Sequence, residues 1–411
     1  MPDEAVVIAA RRTPIGTRGR ALAALNVEQL AAPVLRAALA DAEAAVGDTT
    51  NPRSVAVSRQ RLRRATDLGL VVSPPGRRLA IADVVLGNCM GPGGNPARIS
   101  ALAAGLGVEV PGATVDRQCG SGLAAVLDAA TAIRAGDDRP RIAGGVESPS
   151  TAPVRSLDGV PYDRAPFAPQ GWPDPDMVRA AEDLAAADGI SRERQDAHAA
   201  RSHQRARAAR DAGRFEAELV PLAGLTADDS IGVAEPLLPR LPALFEGGTL
   251  TAGTATRISD GAAAVAVVPR RLAGRAPGLV LRGHAVVGCD PALPGVGAAP
   301  AVRAALDSAG ASLRDVAAFE IVEAFAAQSL AVLDRLGLAD DDPRVCADGG
   351  ALALGHPWGA SGAISVVRLF GRLVRGSAPA GTPGAPAGTL GVAAASVGGG
   401  LGVAAVFEVV R

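Results

Sequence analysis

The chain has 411 residues, 48% of them hydrophobic and only 2% aromatic, with a formal net charge of −1. This composition supplies a large core and suggests two or three domains or one composite fold; it speaks against nucleic acid or an anionic membrane surface as a partner. All the basic charge is arginine, and the cysteines at 89, 119, 289 and 346 show no CxxC spacing, so free thiols and a cytoplasmic protein are expected, with neither a zinc site nor a disulfide framework.

AVVIAA (5–10) reads as a first strand, not a signal peptide, and no run of about 18 apolar residues suggests a membrane span. NVEQLAAPVLRAALADA (26–42) reads as an amphipathic helix. The arginine-rich RQRLRR (59–64) reads as a solvated face or loop, within a stretch, 48–78, expected to be poorly ordered. ADVVLGN (82–88) is the next strand, ISALAAGLG (99–107) a helix stopping at glycine, and GATVDR (112–117) a strand running into Cys119. GLAAVLDAATAIRAG (122–136) is the helix after it. The region 148–250 differs: it is rich in loops and prolines and carries one long polar helix, 191–213, with Ser191 as N-cap and Gly213 as stop, whose His198 and His203 are expected to be solvated. Alternation resumes at GAAAVAVV (261–268), passes through LVLRGHAVV, where His284 serves packing, and ends in the strands TLGVAAASV and GVAAVFEVV. The tract SAPAGTPGAPAG (377–388) is again expected to be poorly ordered. This βα alternation predicts an α/β class. Residues 120–136 and 360–376 align without a gap, each with Ser-Gly near its start, which hints at a duplicated βα unit.

RQCGSG (117–122) places Cys119 where a strand turns into a helix. A helix N-terminus stabilises a thiolate, which predicts a pKa below about 8.5, but a free cysteine is as readily a small buried hydrophobe. His356 in ALGHPWGASG (353–362) lies between Gly355 and Pro357, in a glycine-rich setting suited to a pocket, and a cysteine with a distant histidine is a common nucleophile–base pair. The triplet Gly398–Gly400 between the last strands could aim N–H groups at an oxyanion, or be a plain hairpin turn.

These segments, with VVIAARRTPIG (6–16), GGNPAR (93–98), GGVESPSTAP (144–153), GISRERQDAHAARSHQRA (189–206), GGTLTAGTATRISDGAAAV (247–265), VEAFAAQ (322–328) and SVGGGLG (396–402), resemble the thiolase family of acetyl-CoA acetyltransferases and 3-ketoacyl-CoA thiolases over essentially the whole chain. The resemblance implies a thiolase fold: a duplicated core of two five-stranded mixed sheets in a five-layer αβαβα sandwich, plus a loop domain. It implies an N-terminal half at 1–147, completed by about 250–271, a loop domain over the CoA site at 148–249, and a C-terminal half at 272–411. It implies a homodimer or homotetramer acting on acyl-CoA without a further cofactor. Cys119 would carry the acyl group, His356 would activate it, an oxyanion hole would form from the N–H groups of Cys119 and Gly398 and from His356, and Ser150, Thr256 and Arg257 would lie along the CoA site.

Four positions depart from the family pattern: Ser396 replaces a second catalytic cysteine, Val322 the asparagine of NEAF, Asp116 an asparagine, and Arg257 a glycine. A thiolate can remove a proton from an α-carbon, and a thiol ionises near about 8.5, whereas a serine hydroxyl needs a base of its own. The favoured expectation is therefore an acyltransferase that loads Cys119 from acyl-CoA and passes the group to a second acceptor, with the Claisen step in doubt. The alternatives are an ordinary acetyl-CoA C-acetyltransferase or 3-ketoacyl-CoA thiolase, and a catalytically weakened scaffold subunit.

Overall fold

The computed structural model describes residues 3–47, 79–162, 164–232, 235–376 and 384–411. The segment 59–64 and the rest of 48–78 lie outside these, as does 377–383 of the Pro/Gly tract. Strands are β1 (Ala5–Arg12), β2 (Gly16–Thr17), β3 (Asp83–Gly87), β4 (Gly112–Val115), β5 (Arg141–Glu147), β6 (Arg155–Leu157), β7 (Val160–Tyr162), β8 (Ser259–Pro269), β9 (Gly278–Gly288), β10 (Val316–Ile321), β11 (Leu390–Val397) and β12 (Leu401–Val410). The described helices of eight or more residues are α1 (Val27–Val46), α2 (Pro96–Ala103), α3 (Ser121–Arg134), α4 (Met177–Asp188), α5 (Arg192–Asp211), α6 (Ala298–Ala309), α7 (Ala326–Leu336) and α8 (Trp358–Leu369).

The main sheet runs β10-β11-β12-β9-β1-β8-β5-β3-β4. The side β1-β8-β5-β3-β4 is a five-stranded mixed sheet, parallel only at β5-β3-β4. The side β10-β11-β12-β9 is its C-terminal counterpart, extended beyond β10 by a single bridge between Phe319 and Val345. The two sides join edge to edge only through Val6–Val280 and Val7–Leu279 of β1 and β9. One apolar cluster packs α3 and α8 between the sheets, a second packs α1 and α2 outside the N-terminal side, and a third packs α6 and α7 outside the C-terminal side. These are the five layers of a mixed α/β sandwich.

The duplicated segments become α3 and α8, which cross in the central layer. A Cβ added to Gly122 would lie 2.8 Å from Ala363 N, and one added to Gly362 would lie 2.6 Å from Leu123 N. The repeated glycine is thus the point of closest approach of the two helices. Ser191 caps α5 as expected, through a bond from Arg194 N. The polar reading of that helix fails in one respect: His198 and His203 are buried at 5% and 2% exposure, together with Gln195, Ala199, Ser202, Ala206 and Ala209. Small residues at alternating spacings of four and three make the inner stripe, which a search for large apolar side chains overlooks. Helix α4, capped by Asp176 and ended by left-handed Gly189, is a second helix in the region for which one long helix was expected.

A buried ion network fixes the 148–250 region to the core. Arg12 of β1 donates to Glu218 at 2.7 Å and to Asp228 at 2.6 Å. Arg368 of α8 pairs with Glu218 and Asp348, and Arg214 reaches Asp348 at 2.6 Å. No helix among the described residues is long and apolar enough to cross a membrane.

Candidate active site

Cys119 sits in a short turn, Gln118–Gly120, between β4 and α3. Asp116 accepts from Gln118 N at 3.0 Å and holds that turn, with Gln118 in the left-handed region at φ 44°. Ser121, at the first position of α3, accepts from Arg117 N at 2.7 Å and donates to Gln118 O at 2.6 Å. His356 is set by its backbone, whose N–H donates to Arg257 O at 3.1 Å and to Ser259 Oγ at 3.3 Å. Gly355 before it has φ 105° and lies so near Ser259 that a Cβ would be 2.5 Å from Oγ. Proline at 357 then starts α8.

These constraints bring His356 Nε2 to 3.3 Å from Cys119 Sγ, across 237 positions of sequence. His356 Nδ1 is 2.6 Å from Ser361 Oγ, and that hydroxyl spends its proton on Pro357 O at 3.0 Å. With its proton on Pro357 O, Ser361 accepts from Nδ1–H, and this tautomer, assigned from the hydrogen-bond network, turns the Nε2 lone pair of the neutral ring towards the thiol. Burial pushes His356 down to about 4. Desolvation pushes the half-buried Cys119 up to about 12; the N–H groups of Cys119 and Gly398 favour the thiolate and oppose the shift, while Glu147 reinforces it. The thiolate favoured by the helix terminus is thus overruled by desolvation, and the resting pair is thiol and neutral imidazole.

Gly398 opens the turn between β11 and β12, so that turn is both a hairpin and a wall of the site. Glu147, fully buried, accepts from Cys89 N at 3.1 Å, Met90 N at 2.9 Å, Gly359 N at 2.9 Å and Asn88 Nδ2 at 3.1 Å. It locks the loop after β3 to the start of α8. Glu147 and Ser361 both lay inside segments read from the sequence without being singled out. The signal for Ser361 was the repeated Ser-Gly: Ser121 and Ser361 each brace the turn ahead of their helix.

Ser396 donates to Gly295 O at 2.7 Å and accepts from Ala298 N at 3.0 Å, so its hydroxyl proton is spent on backbone, and no base contacts it among the described residues. Val322 is buried and belongs to the central apolar cluster. Ser150 donates to Asp260 at 2.5 Å and accepts from Gly19 N at 2.9 Å; Thr256 donates to Ala351 O at 2.6 Å. Arg257 adjoins His356 through its carbonyl, and its half-buried guanidinium makes no hydrogen bond or ion pair among the described residues. His203 instead accepts from Gly232 N at 3.0 Å, and His198 lies 3.3 Å from Glu323.

Comparison with known proteins places the chain in a family. Residues 77–271 match the thiolase N-terminal domain and 276–409 the thiolase C-terminal domain. The chain belongs to the thiolase family. A putative acetyl-CoA C-acetyltransferase of Bacillus subtilis is 38% identical over 414 residues, covering 99% of each chain. A 3-ketoacyl-CoA thiolase of Erwinia tasmaniensis is 37% identical over 431 residues, again with 99% of each covered. The crystal structure of the Bacillus anthracis acetyl-CoA acetyltransferase superposes with a TM-score of 0.81 at 32% identity, covering 99% of both chains. As a thiolase-family protein it has the mixed α/β sandwich expected, and acyl transfer is the family's chemistry.

Proposed function

We propose that this thiolase-family protein is an acyl-CoA-dependent acyltransferase working through a thioester on Cys119, and that its overall reaction is that of an acetyl-CoA C-acetyltransferase or 3-ketoacyl-CoA thiolase. The observation that carries the reading is the 3.3 Å approach of Sγ to an Nε2 whose tautomer is set by Ser361. The Cys119 thiol proton moves to His356 Nε2 as the sulfur attacks the thioester carbonyl. The N–H groups of Cys119 and Gly398 take the developing oxyanion. The bond from carbonyl carbon to CoA sulfur breaks, and the CoA thiolate takes the proton from His356. His356, neutral again, then takes a proton from the α-carbon of a second acyl-CoA, the role that Ser396 cannot fill without help; the carbanion attacks the Cys119 thioester carbonyl, the bond to Sγ breaks, and the Cys119 thiolate recovers the proton from His356. The names of the relatives favour this full reaction. The CoA arm would run past Ser150, Thr256 and Arg257, in a chain divided at 1–147, 148–249 and 272–411, acting as a homo-oligomer.

A second reading is favoured by the bonds of Ser396: acyl loading without carbon–carbon chemistry, the group passing to another acceptor. Two measurements decide. Intact mass after mixing with acetyl-CoA should show one acetyl adduct, lost in Cys119→Ala; its absence in the wild type rejects both readings and leaves a scaffold. CoA-dependent cleavage of acetoacetyl-CoA should proceed and be lost in Cys119→Ala. An adduct without cleavage rejects the first reading for the second, and Ser396→Cys with Val322→Asn should then raise cleavage by about 10²-fold.

A further inference from the structure

The segment Arg164–Asp174 crosses the turn that carries Gly398. A Cβ added to Gly398 would lie 2.7 Å from Phe167 Cε2 and 3.0 Å from its Cδ2, and one on Gly399 would lie 3.2 Å from Phe167 Cβ. The phenyl ring therefore rests directly on the glycine whose N–H faces the Cys119 sulfur. It is held there. The Arg164 guanidinium stands 4.5 Å from the ring centroid and donates to Asp174 Oδ1 at 2.7 Å and to Asp174 O at 3.1 Å. Phe167 N donates to Asp174 Oδ2 at 3.2 Å, and Arg164 holds the Asp174 carboxyl below the usual carboxylate range. Upstream, in β6, Arg155 Nη2 donates to Cys89 O at 2.7 Å, which ties β6 to the loop braced by Glu147. An aromatic ring held by Arg164 and Asp174 against Gly398 stands next to the turn whose N–H faces the sulfur, where its bulk can bear on a group the sulfur carries.

We propose that Phe167 is the size gate of the acyl site: its ring, pinned by Arg164 and Asp174 against Gly398, restricts the Cys119 thioester to short acyl chains. The inference rests on the acyl-Cys119 reading above. A bulkier group on the sulfur must displace the ring, which means breaking the Arg164–Asp174 clamp or crowding Gly398. Removing the ring opens apolar space beside Gly398 and leaves the Cys119 and His356 side chains in place.

The test compares loading of Cys119 by acetyl-CoA and octanoyl-CoA, followed by intact mass, in the wild type, Phe167→Ala and Phe167→Leu. The wild type loads acetyl faster, Phe167→Ala raises the octanoyl-to-acetyl rate ratio about tenfold, and Phe167→Leu falls between. Alkylation of Cys119 by iodoacetamide and by N-phenylmaleimide, located by peptide mass, gives the same ratio test without acyl transfer. Phe167→Ala should favour the bulky reagent by a similar factor. A wild type that loads both thioesters equally, or ratios unchanged in both variants, overturns the gate. Should the wild type load neither thioester, the acyl-enzyme reading fails, and the alkylation ratio alone still upholds or overturns the gate.

Discussion

At Cys119 and His356 two opposing effects can be ranked. The helix terminus and two N–H groups favour thiolate, but desolvation is the larger influence and leaves the thiol near 12, with the imidazole near 4. On the acyl-loading reading proposed above, the pair reacts as neutral thiol and neutral base, with proton transfer during attack. The rate of Cys119 acetylation should be flat from about pH 6 to 8 and fall only as His356 gains a proton near 4, not near the ordinary histidine value of about 6.5. Stopped-flow loading against pH reads this; an acid limb centred near 6.5 would show that the imidazole is more hydrated than its surroundings imply. Ser361→Ala removes the acceptor that fixes the tautomer. Loading should slow about tenfold, Ser361→Thr should recover part of it, and Ser361→Ala should also lose about 1–3 kcal/mol of stability, because Nδ1–H is left buried without an acceptor.

At the scale of elements, the site exists because α3 and α8 each begin at a strand end or tight turn, and cross through paired glycines. Gly362→Ala would force its methyl against Leu123 N, where neither backbone can yield cheaply. The expected cost is about 2 kcal/mol, seen as a lower urea midpoint with unchanged slope, together with slower loading because α8 carries Ser361 and follows His356. An unchanged midpoint would mean that the helices separate without strain. Helix α5 gives the opposite lesson about surface: its arginines are plentiful, but the inner stripe of Gln, Ala, Ser and His is what docks it.

For the whole molecule, buried histidines couple folding to pH. His203 and His356 are both depressed to about 4, His203 chiefly by burial. The unfolded chain takes up protons near 6.5 while the folded one does not, so their contribution is fully present above 6.5 and is lost as pH falls from about 6.5 towards 4. Each is worth on the order of 3 kcal/mol across that window. His203→Gln keeps an acceptor for Gly232 N and removes one titration. Denaturant unfolding at pH 7 and pH 5 should show a smaller drop for the variant than for the wild type; equal drops would mean that His203 does not titrate with unfolding.

The sequence by itself determined the class, most strands and helices, and the two side chains, Cys119 and His356, that the fold brings together. Apolar alternation, glycine and proline punctuation and the chemistry of Cys and His are local properties of the chain. It determined the duplication as well, because Ser-Gly recurs where two helices must brace a turn and pass closely. Tertiary structure alone decided the rest. The sign of the Cys119 shift depends on how much water the fold removes. The tautomer of His356 depends on where Ser361 spends its proton. The burial of His198 and His203 depends on which face of α5 meets the core. Phe167 lies on Gly398 only because a loop some 230 residues earlier in the chain folds across the last hairpin. Each is set by distances between groups far apart in sequence, and a linear pattern carries no record of those.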